Sequence, residues 1–125
     1  MRFADAVAQV LADLDAGGSA NERAIARGLG LAVAAWTALA DLDSDGGWDL
    51  FGLDVCAAAE SVQVVIAEAP VVDWSADRRS LRRSAAQLVD AIAASLEAQP
   101  AQLLLAQLQV DAAAAQLRRA GDVLR

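Results

Sequence analysis

The sequence predicts an all-α fold, an antiparallel up-down bundle of four to five helices. Three observations carry this. Hydrophobic residues make up 57% of the chain but aromatics only 4%, and much of that apolar share is alanine, the strongest helix former. Apolar residues recur at spacings of three and four along five successive segments. Glycine, proline and capping residues separate those segments, and no stretch alternates as a strand would. The 125 residues make one domain, 1–125, large enough to bury a core without disulfides or metal.

The first helix is expected over 2–16, with Phe3, Val7, Val10 and Leu14 on one stripe. Gly17 and Gly18 end it, because glycine accepts a left-handed C-terminal residue. Ser19 and Glu22 have capping-box spacing and open the second helix. Its stripe is Ile25, Leu29, Ala32, Trp36 and Leu39. Gly28 and Gly30 each weaken it by about 1 kcal/mol relative to alanine, and they let a neighbouring helix come close. Residues 29–40 are apolar on nearly every face, which suits a central helix or one covered by a partner. That run falls short of the roughly 20 residues that span a bilayer.

A break over 41–47 precedes the third helix, expected from 48 or 49 to 69, with Phe51, Val55, Ala58, Val62, Val65 and Ala69 in line. Pro70 disfavours helical geometry in the residue before it and so ends the helix. Asp73 or Ser75 caps the fourth helix, which reaches about residue 98 along Leu81, Ala85, Leu88, Ile92 and Leu96. Pro100 opens the fifth. There Leu103, Val110, Leu117 and Leu124 repeat every seven residues, with Ala106, Ala113 and Ala120 between them. Large residues alternating with alanine suit close helix packing, and short connections make neighbours antiparallel.

The missing residue types narrow the function. The chain has no His and no Tyr, and every basic residue is Arg. The side chains that usually move protons near neutral pH or form Schiff bases are therefore missing. The apolar stripes are clean, with Asp5, Asp13, Arg27, Glu60, Asp90 and Asp111 all off them. A di-iron bundle needs Glu-x-x-His pairs, which this chain cannot supply. A non-enzyme is expected. The net charge of −7 argues against nucleic acid as a partner. The single Cys56 and the absence of an N-terminal apolar run fit a cytoplasmic protein, with neither membrane nor secretion implied. The Arg-, Ala- and Asp-rich usage has the look of a high-GC bacterial genome.

Three features offer chemistry. Asp41-Leu42-Asp43-Ser44-Asp45-Gly46 places carboxylates at alternate positions ahead of a glycine. This resembles the start of an EF-hand calcium loop, where such carboxylates converge on one hard cation. The resemblance implies Asp41, Asp43 and Asp45 as the first ligands, followed by the Gly47 carbonyl and Asp49. It covers about a dozen residues, and Gly52 stands where the closing bidentate Glu belongs. The loop is either a solvated acidic turn or a weak calcium site, and no other cofactor is expected.

The second feature is Arg78, Arg79, Arg82 and Arg83, two pairs four residues apart that form a basic ridge on a helix. They either pair with Asp73, Asp77 or the acidic loop, or dock an acidic partner or a phosphate. Third, Trp36 belongs to a core stripe and Trp48 and Trp74 cap bundle ends, or Trp36, Trp48 and Trp74 line a ligand pocket. Cys56 reads as a small packed residue.

The leading expectation is a non-catalytic protein that binds another protein, or a second copy of itself as a homodimer, through helix faces. Its basis is surplus apolar surface on the second helix and at Leu104, Leu105 and Leu108. Adaptor, chaperone and immunity-type inhibitor are equally open. A bundle binding a hydrophobic small molecule is the alternative, and a weak calcium binder is the third reading.

Overall fold

Helices form at the five predicted places. In the computed structural model these are α1 (Phe3–Ala16), α2 (Ala20–Leu39), α3 (Gly47–Ser61), α4 (Arg78–Ala98) and α5 (Leu104–Leu124), with a 3-10 turn at Ala40–Leu42. The structure describes every residue except 17–19, 43–44 and 100–103, and only the backbone of Ala20 and Leu104. The expectations on Gly17, Gly18, Ser19, Asp43, Pro100, Leu103 and the Leu104 side chain lie outside the described residues. Among the described residues there is no strand, so the all-α bundle stands.

Residue pairs across the bundle give its layout. α2 runs against α1, with Val10 beside Gly28, and against α3, with Trp36 over Gly52. It also runs against α4, where the Ser95 hydroxyl donates to Asn21 at one end and Leu39 meets Leu81 at the other. α5 runs against α3, with Val123 beside Gly47 and Gln116 bonded to Ser61. It runs against α4 from the Arg82–Leu124 contact to the Glu97–Arg118 pair. α2 and α5 therefore point one way, and α1, α3 and α4 the other.

That arrangement makes α3 and α4 parallel, so residues 62–77 must return along the bundle. The third helix correspondingly ends at Ser61, where the sequence predicts it to continue to Ala69. Gln63 adopts φ 56°. Its N–H donates to the Glu60 carbonyl at 3.1 Å, and that of Val64 to the Ala59 carbonyl at 3.1 Å. These two bonds are a Schellman motif, built here on glutamine where glycine is usual. The β-branched run Val62, Val64, Val65, Ile66 then favours extended backbone over helix. Val65 points to solvent at 85% exposure, so it belongs to no core stripe.

The extended segment docks on α2 and α1. Ala67 N–H donates to the Ala26 carbonyl at 3.2 Å, and Asp73 N–H to the Met1 carbonyl at 2.7 Å. The Trp74 ring sits 4.9 Å from that of Phe3. Gly30 makes room for this strap, because a Cβ there would lie 1.9 Å from the Ala67 carbonyl oxygen. The close approach at Gly30 is thus by extended backbone, while Gly28 receives the side chains of Ile92 and Val10.

The core follows the predicted stripes. Phe3, Val7, Leu29, Phe51, Val55, Leu88, Ile92 and Leu117 are each at most 2% exposed. Among the described residues no polar or charged side chain is buried. α2 is central, flanked by α1, α3, α4 and the strap, which accounts for its apolar circumference. By length and composition alone, Asn21–Leu42 is long and apolar enough to cross a membrane, which corrects the reading from the shorter run 29–40. Here that helix forms the middle of the bundle.

Candidate functional site

α4 carries the basic cluster, and its start is set by Asp77. One Asp77 carboxylate oxygen accepts from Ser80 N–H at 2.9 Å and the other from the Ser80 hydroxyl at 2.9 Å. These bonds hold the Asp77 carboxyl below the usual range. The predicted caps, Asp73 and Ser75, precede the helix and bond to each other, with Ser75 N–H donating to Asp73 at 3.0 Å. The cap fell to Asp77 because the strap holds Asp73 against Met1, short of the first helical turn.

The four arginines divide in role. Arg82 is anchored on three sides: Nε donates to the Leu124 carbonyl at 2.9 Å, Nη2 to the Val123 carbonyl at 3.2 Å, and Nη1 to Asp45 at 3.1 Å. It supplies donors and positive charge to the last carbonyls of α5, the end where the helix dipole favours a cation. Arg78 lies beside Leu39, Leu42, Trp48 and Leu81. Arg79 and Arg83 are exposed, and neither makes a hydrogen bond or ion pair among the described residues. They line a groove of about 970 Å³ together with Arg82, Ala86 and Asp90 of α4 and with Leu124 and Arg125 at the end of α5. Arg125 is turned to Asp90 and Asp122.

The acidic loop is engaged in the fold. Gly46 takes φ 74° at the sharp turn ahead of α3. Asp45 accepts from Gly47 N–H at 2.9 Å and from Arg82, and these two contacts, in that order, lower its carboxyl pKa. A lowered carboxyl stabilises the fold above the ordinary aspartate range, and that share is lost as pH falls through the lowered value. Asp49 accepts from the Trp36 indole at 3.0 Å. Asp41 is exposed on the 3-10 turn, and Asp54 pairs with Arg119. Gly52, at the EF-hand closing position, lies under Trp36, and a Cβ there would be 1.9 Å from the ring. Among the described residues, no three His, Cys, Asp or Glu side chains gather as a metal site.

The tryptophans occupy three different contacts. Trp36 lies over Gly52, Trp48 is buried edge-on to Phe51, and Trp74 lies against Phe3. The cavity beside Trp48 measures about 10 Å³, far below the several hundred cubic ångströms of a ligand pocket. Cys56 is half-buried, and desolvation, with Glu60 nearby, pushes its thiol pKa up, away from the reactive thiolate.

A second surface emerges along α3 and α5. Leu50 and Leu53 are 54% and 60% exposed, and Leu105 and Leu108 are 68% and 56% exposed. On α3, Leu50, Leu53 and Ala57 surround Asp54 at helical spacing. On α5, Leu105, Ala112 and Arg119 follow at seven-residue intervals. Asp54 pairs with Arg119 across the two helices, and Leu105 and Leu108 lie about three to four turns before Arg119 on α5. Leu105 and Leu108 were legible as surplus in the sequence. Leu50 and Leu53 were not, because only the helix rotation separates them from Phe51 and Val55.

The chain matches no family model, and no curated protein or solved structure matches it.

Proposed function

We propose that this chain is a non-catalytic interaction module that pairs with a second copy of itself through the outer face of α3 and α5. The exposed leucines of α3 and α5 carry the reading. A two-fold copy would lay one antiparallel helix pair on another and cover these residues in a four-helix layer. Asp54 and Arg119 on this side are already paired with each other. The lack of His, Lys and Tyr supports a role without catalysis.

Light scattering behind a sizing column tests this. The native chain should run at twice its own mass. Leu53→Asp combined with Leu108→Asp should return it to the single-chain mass with its helical circular dichroism intact. A native chain that stays at single mass at every concentration overturns the reading.

A further inference from the structure

The groove on the other side of α5 carries an independent inference. The chain has 17 acidic and 10 basic side chains, and among the described residues arginines occur both with a carboxylate, as Arg27 does, and without an ion pair, as exposed Arg23 does. On α4 and α5, Arg82, Arg118 and Arg119 each hold one, as does Arg125 just beyond α5. Arg79 and Arg83 are different: exposed, one helical turn apart, and in no ion pair among the described residues. They sit near the α4 N-terminus, where the helix dipole disfavours cations, although the Arg79 charge helps to lower the carboxyl of the capping Asp77.

We propose that this groove docks an acidic amphipathic helix of a partner protein. Two partner carboxylates one turn apart meet Arg79 and Arg83, and an apolar side chain between them rests on Ala86 and Leu124. The spacing argues for a helix, since residues four apart on one helix match residues four apart on another. The guanidinium forks favour carboxylates through paired, charge-assisted hydrogen bonds. The groove is partly open to solvent. A small-molecule site would instead enclose most of its ligand. Of the other lining side chains, Arg82 is held by Asp45, and Arg125 is held by Asp90, the one carboxylate among the lining residues. The leucine face lies on the α3 side of α5 and this groove on the α4 side, so failure of either reading leaves the other standing.

The test uses the full chain and a labelled alanine-based helical peptide with Glu at positions i and i+4 and Leu at i+3, read by fluorescence anisotropy. Saturable binding is expected. Arg79→Gln with Arg83→Gln should weaken it at least tenfold while the circular dichroism is unchanged, and Arg23→Gln on α2 should leave it alone. Should the glutamine pair disturb the fold, Arg79→Lys with Arg83→Lys keeps both charges without the forks and should still bind several-fold more weakly. The proposal is overturned by an absence of saturation, by equal binding of a peptide with Gln in place of Glu, or by equal weakening in the Arg23 variant. Displacement of the peptide by inorganic phosphate at matching concentrations would also overturn it, because the groove would then be a simple anion site.

Discussion

Two sides of α3 are both apolar and meet opposite fates. Toward α2 the helix is interlocked: Trp36 lies flat over Gly52, and its indole N–H donates to Asp49 one turn earlier. Away from the core, Leu50 and Leu53 meet solvent, though they neighbour the fully buried Phe51 in sequence. The difference lies in what the neighbouring chain offers. On the inner side a missing Cβ lets a large ring settle against the helix backbone. On the outer side Asp54 pairs with Arg119 of α5, and Leu50 and Leu53 stay exposed. Hydrophobicity alone therefore does not say which residues stabilise the monomer and which are left for association.

The sharpest way to break the inner joint is Gly52→Ala. Alanine favours helix by about 1 kcal/mol over glycine, yet its Cβ would overlap the Trp36 ring, and overpacking ordinarily costs about 1–3 kcal/mol. Because the conflict is with the middle of a rigid ring, a net loss of about 2 kcal/mol is expected in urea unfolding. An unchanged or raised midpoint would mean the ring moves aside at no cost. Asp49→Ala leaves the packing and removes only the indole acceptor, so about 1 kcal/mol is expected, together with a shift in Trp emission. The smallest effect belongs to the outer face. In dilute, monomeric protein Leu53→Asp should alter stability by under about 0.5 kcal/mol, since the side chain has little packing to lose. A larger loss by thermal melting would show that Leu53 supports the monomer and would remove it from the association face.

Where the sequence could be read, local physics acted alone. The stripes of α1 and α4 matched because periodic burial needs only one covered side, whatever covers it. The end of α3 was misplaced because its stop signal is a glutamine in left-handed conformation, and Pro70, the visible signal, stands well beyond it. The α4 cap was placed on Asp73 and Ser75 for a related reason, since several capping residues in succession offer equal local choices. Among the candidate site residues, the arginine cluster was visible from its spacing. Pairing with the acidic loop is among the sequence expectations and occurs at Arg82–Asp45, but the division into an anchored Arg82 and solvent-facing Arg79 and Arg83 was not legible, because the other Arg82 partners are backbone carbonyls of Val123 and Leu124, far along the chain.

The sequence by itself determined the all-α class and the inward faces of α1 and α4, because helix propensity and a repeat near 3.6 residues act within one segment. Only the tertiary structure decided that α3 and α4 run parallel, that a strap over 62–77 lies against Gly30, and that Gly52 serves Trp36 and leaves no room for a closing carboxylate. Each of those depends on which segments come within van der Waals reach, and that is settled by the packing of the whole chain.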